Sequence, residues 1–257
     1  MSEPYDSDNL LDRVSSGAAL EAHDAWTKHR EQVLLRRVLD SAALTGGEVL
    51  SVGAGWHPGR HLFPAPAWRL TANDLDPARA NWVVEGGRAD AAAPGRAGEL
   101  HDLPDASFDV VLYRLVLHHV VFQQPLAPVF AEAARLLRPG GVAIAVEPGA
   151  WHPVGAGLAL ANRLGAGERV HGTADDVPLA PRRLAAEARG AGLDPRLAAV
   201  TYTWRRLPVA VQRALRSIDG VGARPRAARF GHTLMLVARR PGRLSQRRRP
   251  DAAASRR

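Results

Sequence analysis

The stretch VLSVGAGWHPGR, from Val49 to Arg60, decides which fold this chain is expected to adopt. Its first residues, VLSV, are typical of a buried strand, and the turn Gly53-Ala54-Gly55 follows at once. Glycine accepts backbone angles that other residues avoid, and it has no side chain to keep a ligand away. Ligands of open parallel sheets bind beyond the carboxyl ends of the strands, where this turn would lie. The stretch therefore predicts a first strand followed by a ligand-binding turn.

Short apolar runs alternate with helical patterns on both sides of this stretch. One helical pattern runs from Ala18 to Leu44, and an amphipathic helix is predicted at about Pro125 to Leu137. The candidate strands are Glu48–Gly53, Trp68–Asn73, a weak one near Trp82–Glu85, Phe108–Tyr113, Val142–Glu147, Leu197–Trp204 and Gly231–Ala238. This alternation is typical of a Rossmann-like α/β fold, in which a doubly wound parallel sheet lies between two helical layers.

An acidic residue follows the second candidate strand at a distance that suits an adenosine. Asp74 lies 19 positions beyond Gly55, and a carboxylate at about that spacing accepts hydrogen bonds from ribose hydroxyls. A dinucleotide would also need a glycine at position 58, but Pro58 stands there and has no N–H to donate. The spacing therefore favours an adenosine ligand without a pyrophosphate.

Four sequence blocks in this order resemble the class I S-adenosylmethionine-dependent methyltransferases, specifically their type 11-like members, over roughly Val49 to Glu147. The blocks are VLSVGAG, TANDLDPARA, ELHDLPDASFDVVLYRLVLHHV and EAARLLRPGGVAIAVEP. The resemblance implies a seven-stranded sheet whose last strand runs antiparallel, with Leu197–Trp204 and Gly231–Ala238 as the closing pair. It also implies S-adenosylmethionine as the cofactor.

The residues that match the family's first two motifs are expected to hold this cofactor. By resemblance, Gly53, Ala54 and Gly55 would face its methionine end. Asp74 would hold its ribose, and Leu75 would lie against its adenine.

Two acidic residues compete as the acceptor for the adenine amino group. Glu99 has the right offset to DLPDASFD, with Glu in place of the more usual Asp, whereas Asp90 requires an insertion before that block. Both remain candidates. Arg114, after the fourth strand, and its neighbour Leu115 would line the cofactor.

The chain departs from the family pattern just after the glycine turn. His57 stands where the family has its third glycine, and the sequence FPAP, Phe63 to Pro66, interrupts the helix that normally follows. Proline removes an interior hydrogen bond of a helix. That first helix is therefore expected to be short or kinked.

Methyl transfer from a sulfonium depends chiefly on an in-line approach and on the exclusion of water. A base is needed where the acceptor must lose a proton. His118, after the fourth strand, and His152, in the loop after the fifth, are the catalytic candidates, whereas His119 is expected to pack structurally. Trp151 is placed to stack an aromatic or cationic acceptor. No metal site is predicted.

Composition sets the broad class of the protein. The 257 residues, 46% of them hydrophobic, suffice for a sizeable core. The absence of cysteine excludes disulfides, thiolate metal sites and a cysteine nucleophile. The apolar runs are too short to span a bilayer, and the acidic, polar start MSEPYDSDNL is not a secretory signal. A cytoplasmic location is expected.

Most of the formal net charge of +8 lies in one segment. Arg239 to Arg257 holds eight arginines and one aspartate, which leaves about +1 for the rest of the chain. No aromatic residues are interleaved there for base stacking, so a disordered, solvated tail is favoured over a nucleic-acid-binding arm. The expected organisation is a leader and lid helix over residues 1–44, a methyltransferase domain over 45–238 and a basic tail over 239–257.

The expected function is methyl transfer to a small-molecule acceptor in secondary metabolism. One alternative is an S-adenosylmethionine-binding enzyme with another reaction, such as a cyclisation. The other is a non-catalytic nucleic-acid binder that acts through the arginine-rich tail. The identity of the acceptor, its reacting atom and the oligomeric state do not follow from the sequence.

Overall fold

A computed structural model describes residues 17–171, 177–220 and 224–242 of the chain. The strands in these ranges are β1 (Gly47–Val52), β2 (Trp68–Ala72), β3 (Ala91–Ala92), β4 (Phe108–Arg114), β5 (Leu137–Pro148), β6 (Asp194–Thr201) and β7 (Thr233–Arg239). The helices are α1 (Gly17–Ala42), α2 (Pro77–Glu85), α3 (Leu117–Gln123), α4 (Leu126–Leu136), α5 (Pro153–Arg163), α6 (Gly167–His171), α7 (Pro181–Gly190), α8 (Val209–Arg216) and α9 (Pro225–Ala228).

The strands form a seven-stranded sheet in the order β3-β2-β1-β4-β5-β7-β6. Strand β7 pairs antiparallel with both of its neighbours, and the other neighbouring strands pair parallel. The predicted Rossmann-like α/β fold with an antiparallel last strand is confirmed. The strand order reverses between β1 and β4, so the switch point of the sheet lies where the glycine turn follows β1.

Each face of the sheet has its own hydrophobic core. On one face, α4 and α7 bury Phe130 and Leu184 against the strands. On the other face, Leu35 and Leu39 from the second half of α1 pack in one cluster with Phe63. The N-terminal helix therefore contributes to the same core as the strands.

The connection from β1 to β2 contains no helix, which corrects the expectation of a short or kinked one. Residues 53–67 form turns and irregular chain. Pro58, Pro64 and Pro66 lack the N–H groups that a helix would need to continue. The Arg60 guanidinium instead donates to two nearby backbone carbonyls, which holds the segment in place.

The weak strand predicted near Trp82–Glu85 is also wrong, because these residues end helix α2. The start of that helix is set by Asp76, whose carboxylate accepts a hydrogen bond from the Ala78 N–H at 3.0 Å. Pro77 at the first helical position strengthens this start. The third strand follows at Ala91–Ala92, where two alanines provide little strand signal in the sequence.

The leader and the basic tail expected at the two ends of the chain remain predictions. The leader over residues 1–16, and the basic tail from residue 243 onward, lie outside the described residues. Within the described ranges, no helix combines the length and the apolar character needed to cross a membrane.

Replacing Leu35 by alanine should lower the free energy of unfolding by about 2 to 4 kcal/mol, because it removes a side chain that is 3% exposed and leaves a cavity under α1. Arg36→Ala, at an exposed position, should change this free energy by less than about 0.5 kcal/mol. Urea unfolding followed by circular dichroism measures both variants. Equal, small losses for the two variants would show that α1 does not share the core.

Candidate cofactor and acceptor site

The turn after β1 has the backbone geometry that its glycines predict. Gly53 and Gly55 have φ angles of 61° and 52°, in the left-handed region that residues with a side chain rarely adopt. A Cβ atom on Gly53 would lie 2.2 Å from the Val116 side chain, whereas a Cβ on Gly55 would meet no atom within 4 Å. The turn is therefore closed on the side of Val116 and open beside Gly55.

Hydrogen bonds attach this turn to the end of β2. The N–H of Gly53 donates to Asn73 Oδ1 at 3.4 Å, and the N–H of Ala54 donates to the Asn73 carbonyl at 2.7 Å. The N–H of Gly55 donates to the Asp74 carboxylate at 2.9 Å. The turn and the predicted ribose-binding residue thus form one bonded unit.

Asn73, which was not predicted as a site residue, connects three strand ends. Besides its bonds to the turn, its amide donates to the carbonyls of Ala93 and Gly95, at 2.8 and 2.9 Å. These two residues follow β3. Its position directly before Asp74 was the available signal.

Asp74 is held in place and retains acceptor capacity. Its Oδ2 accepts the Gly55 N–H, its Oδ1 accepts the Asp76 N–H at 3.0 Å, and Arg79 lies 3.7 Å away. A carboxylate has about four acceptor positions. Two backbone bonds therefore leave capacity for the two hydroxyls of a ribose.

Two apolar side chains at this edge have much of their surface uncovered. Leu75, next to Asp74, is 60% exposed, and Leu115, after β4, is 47% exposed. Leu115 also has a φ of 55°, a strained angle for leucine of the kind that is found at ligand sites. Both side chains offer apolar surface to a ligand such as an adenine ring.

The two candidate acceptors for an adenine amino group lie in different places. Asp90 precedes β3, and its carboxylate accepts from the Leu70 N–H and from Arg60, both at 2.6 Å. Burial by itself raises the pKa of Asp90, but these donors hold the pKa below its ordinary value. Leu70 lies in the middle of β2, so Asp90 is set back from the carboxyl edge. Glu99 follows β3 and is exposed, and its carboxylate makes no hydrogen bond to the described residues.

Arg114 is bound to the N-terminal helix. Its guanidinium donates two hydrogen bonds to Glu31 of α1, at 2.9 and 3.3 Å, and His61 lies 3.6 Å from the same carboxylate. Glu31 is 1% exposed. Burial by itself raises the pKa of Glu31, but His61 and Arg114 hold the pKa below its ordinary value. This cluster joins α1 to β4 and to the β1–β2 connection. Glu31 and His61 were not predicted.

His118 forms a buried pair with Glu147 of β5. Its Nδ1 lies 2.6 Å from Glu147 Oε2, and Oε1 of the same carboxylate accepts the N–H groups of Val116 and Leu117 at the start of α3. The carboxylate is therefore fixed, and it orients the imidazole. When Nδ1 carries the proton, Nε2 is the nitrogen that accepts one. Glu147 was not predicted as a site residue.

His152 is held by both of its ring nitrogens. Its Nδ1 accepts the Val154 N–H at 3.3 Å at the start of α5, and its Nε2 lies 3.2 Å from the Tyr202 carbonyl. A neutral ring with the proton on Nε2 satisfies both bonds, and burial lowers the pKa of His152 in agreement with that state. In this arrangement neither nitrogen is available to take a proton from an acceptor.

His152 belongs to a cluster of three imidazoles that the sequence analysis did not predict. The ring centroid of His232, just before β7, lies 5.1 Å from that of His152 and 6.0 Å from that of His23 on α1. Burial lowers the pKa of His232 to about 3, so its ring is neutral at physiological pH. Among the described residues, no group of three or more potential ligands is placed to hold a metal ion.

The first half of α1 is anchored beside this cluster. The indole N–H of Trp26 donates to Asp219 at 2.6 Å. Asp219 also accepts from the Thr201 hydroxyl and the Tyr202 N–H, both at 2.8 Å, at the end of β6. This shared carboxylate attaches α1 to the edge at which β6 ends and β7 begins.

Two cavities lie at different distances from the carboxyl edge of the sheet. One of about 350 Å³ runs from Glu48, Arg69 and Phe108, near the amino ends of their strands, along the edge strand β3. A second, of about 190 Å³, is lined by the chain that follows the glycine turn, residues 56–61, and by Arg88. Ligands of this sheet type bind at the carboxyl ends, so the larger cavity is not the candidate site.

Comparison with known proteins agrees with the fold. Residues 50–145 match the family model described as a methyltransferase domain. This match and the fold support the class I S-adenosylmethionine-dependent methyltransferase family. The cofactor of this family is S-adenosylmethionine. No curated protein sequence matches the chain.

Solved structures share the fold of this chain at low sequence identity. A possible histamine N-methyltransferase from Thermotoga maritima superposes with a TM-score of 0.58 and 15% identity, over 84% of this chain and 90% of that chain. A proposed sarcosine dimethylglycine methyltransferase from Galdieria sulphuraria gives a TM-score of 0.52 and 16% identity, over 82% of this chain and 86% of that chain. A proposed methyltransferase from Bacillus halodurans gives a TM-score of 0.51 and 20% identity, over 80% of this chain and 98% of that chain.

The carboxyl edge of the sheet has the space, the acceptor and the apolar surface that S-adenosylmethionine would need. The open space beside Gly55 admits a ligand against the backbone, and Asp74 retains acceptor capacity for hydroxyls. Leu75 offers exposed apolar surface next to that carboxylate. These features fit an adenosine ligand without a pyrophosphate.

Replacing Glu31 by glutamine should lower the free energy of unfolding at pH 7 by about 2 to 4 kcal/mol, because Arg114 then loses its charged partner. The pKa of Glu31 is depressed in the folded state, so its stabilising effect is complete above the ordinary value of 4.5 and fades as the pH falls below it. The stability difference between wild type and Glu31→Gln should therefore narrow in acid.

Urea unfolding at a series of pH values measures this difference. Glu21→Gln, at an exposed position on the same helix, is the matched control and should show a small difference throughout. A Glu31→Gln difference that does not change with pH would contradict the assigned pair.

Proposed function

We propose that this protein transfers the methyl group of S-adenosylmethionine to a small-molecule acceptor, in secondary metabolism and in the cytoplasm. The observation that carries the proposal is the left-handed turn at Gly53 and Gly55, bonded to Asp74 and open beside Gly55. This geometry supports backbone contact with the cofactor at the switch point of the sheet.

In this proposal the cofactor lies along the carboxyl ends of β1 and β2. Gly53, Ala54 and Gly55 face its methionine part. Asp74 accepts hydrogen bonds from its ribose hydroxyls, and Leu75 packs against its adenine. The remaining acceptor capacity of Asp74 and the exposure of Leu75 support these two roles.

For the adenine amino group, the proposal favours Glu99 over Asp90. The carboxylate of Asp90 already has two short hydrogen bonds and lies level with Leu70, whereas Glu99 is exposed after β3. Arg114 supports the methionine end from behind, because its guanidinium is bound to Glu31.

When bound, S-adenosylmethionine supplies a sulfonium methyl group for in-line attack by a nucleophile. The role of this chain is to position the cofactor and the acceptor and to exclude water. Helix α1 serves that role because Glu31 attaches it on the cofactor side and Asp219 attaches it on the acceptor side.

Where the acceptor must lose a proton, the proposal assigns the base to His118. Its Nε2 takes the proton while Glu147 holds the Nδ1–H, an arrangement that fixes the tautomer and stabilises the imidazolium. His152, the other predicted catalytic residue, instead shapes the acceptor side, because both of its nitrogens are engaged.

The neutral imidazole cluster and the helix attached beside it support a small acceptor. His152 and His232 present neutral rings rather than a strong field, and α1 places His23 beside His232. A reaction other than methylation would retain the cofactor site. It would be recognised by products that lack an added methyl group and by the absence of S-adenosylhomocysteine.

Asp74→Asn should weaken S-adenosylmethionine binding at least about tenfold, because it replaces a carboxylate acceptor of ribose hydroxyls with a neutral amide. Asp76→Asn, two residues on, should leave the affinity unchanged, since asparagine also caps helix α2. Isothermal titration calorimetry measures both, with circular dichroism to confirm folding. Equal affinities for the two variants, or no binding by the wild type, would refute the cofactor assignment.

His118→Gln should lower kcat about 10²- to 10⁴-fold toward an acceptor that must lose a proton, with no change in cofactor affinity. His119→Gln, beside it, should change kcat by less than about tenfold if that residue packs structurally. The assay follows release of S-adenosylhomocysteine in a screen of candidate acceptors. Equal losses for both variants would remove His118 as the base.

A further inference from the structure

We propose that the acceptor carries an acidic group, a carboxylate or a phosphate, which Arg182 and Arg229 bind beside Trp151. This inference rests on the proposed function, because it names the substrate class of the acceptor side of that site.

The loops after β5 and before β7 run side by side and make two aromatic contacts. The inner contact joins His152 and His232, whose ring centroids are 5.1 Å apart. The outer contact joins Trp151 and Phe230, whose centroids are 6.1 Å apart. The N–H of Gly149 donates to the His232 carbonyl at 2.9 Å, which keeps the loops together. The outer pair is therefore adjacent to the imidazole cluster.

Two guanidinium groups lie near the tryptophan of the outer pair. The Arg182 guanidinium carbon lies 5.2 Å from the centroid of the Trp151 ring, and that of Arg229 lies 5.9 Å from the same centroid. Neither arginine pairs with a carboxylate among the described residues. Two positive charges near one ring create a positive potential there, which a bound anion would neutralise. The planar donor fork of arginine matches carboxylate and phosphate oxygens.

Three described segments around this pair have a net positive charge. Residues 148–153, 177–183 and 224–232, which supply this part of the rim, contain five arginines and no aspartate or glutamate. One of the five, Arg183, has a carboxylate nearby, Glu187 at 3.8 Å. An anionic acceptor is therefore attracted to this rim, whereas a cationic acceptor stacked on Trp151 is disfavoured because guanidinium groups already lie over its ring.

The test uses small fluorinated probes with the full chain saturated with S-adenosylhomocysteine. The probes are 4-fluorobenzoate, 4-fluorophenyl phosphate and, as the neutral match, methyl 4-fluorobenzoate. Binding is followed by ¹⁹F line broadening and by the indole N–H signal of Trp151, assigned with Trp151→Phe. At least one anionic probe should bind and shift the Trp151 signal, and the neutral ester should bind at least about tenfold more weakly.

Arg182→Gln/Arg229→Gln should weaken binding of that anionic probe at least about tenfold. The matched control is Arg36→Gln/Arg196→Gln, which removes the same charge at exposed positions on α1 and β6. The control should bind like wild type. The preferred anionic probe tells a carboxylate acceptor from a phosphate acceptor.

The inference is overturned if the ester binds as well as the acids, if both double variants behave alike, or if polyglutamate alone shifts the Trp151 signal. The last result would indicate an acidic macromolecule instead. S-adenosylmethionine affinity is measured in the same variants. Unchanged cofactor affinity with no anion site rejects this inference alone, whereas no cofactor binding by wild type rejects the proposed function.

Discussion

The hydrogen bonds between the glycine turn and the end of β2 are the constraint on which the rest of this site depends. A turn in the left-handed region leaves its N–H groups without strand partners, and such groups require other acceptors. Asn73 and Asp74 provide them at 2.7 to 3.4 Å. The same bonds hold Asp74 beside the open space at Gly55. Because Asn73 also bonds to the chain after β3, the positions of three strand ends are set together.

Helix α1 is attached to the sheet by both apolar and ionic contacts, and each kind has a different consequence. Leu35 and Leu39 bury its second half in the core, as an amphipathic helix requires. Glu31 and Asp219 are carboxylates that join it to β4 and to β6. A buried carboxylate is costly unless it is paired, so these two contacts specify where the helix crosses the edge at which ligands bind.

The histidines at this edge show how neighbours give one residue type different tasks. His118 has a carboxylate on Nδ1, which directs its basic nitrogen to Nε2. His152 bonds to backbone groups through both nitrogens and serves as a helix cap. His232 lies between two other rings, and burial lowers its pKa to about 3. The sequence has a histidine at each position, and the differences come from partners 29 to 209 positions away.

By itself, the sequence determined the α/β class, the order of most strands and the glycine turn followed by an acid at position 74, because these depend on local periodicity and short spacings. It did not show that the β1–β2 connection lacks a helix, that β3 is a pair of alanines, or that Arg114 would be bound to Glu31. Tertiary structure alone decided those points, together with the tasks of His152 and His232. The physical reason is that residues distant in the sequence determine the hydrogen bonds, the burial and the pKa of these side chains. The local sequence pattern does not show which residues those are.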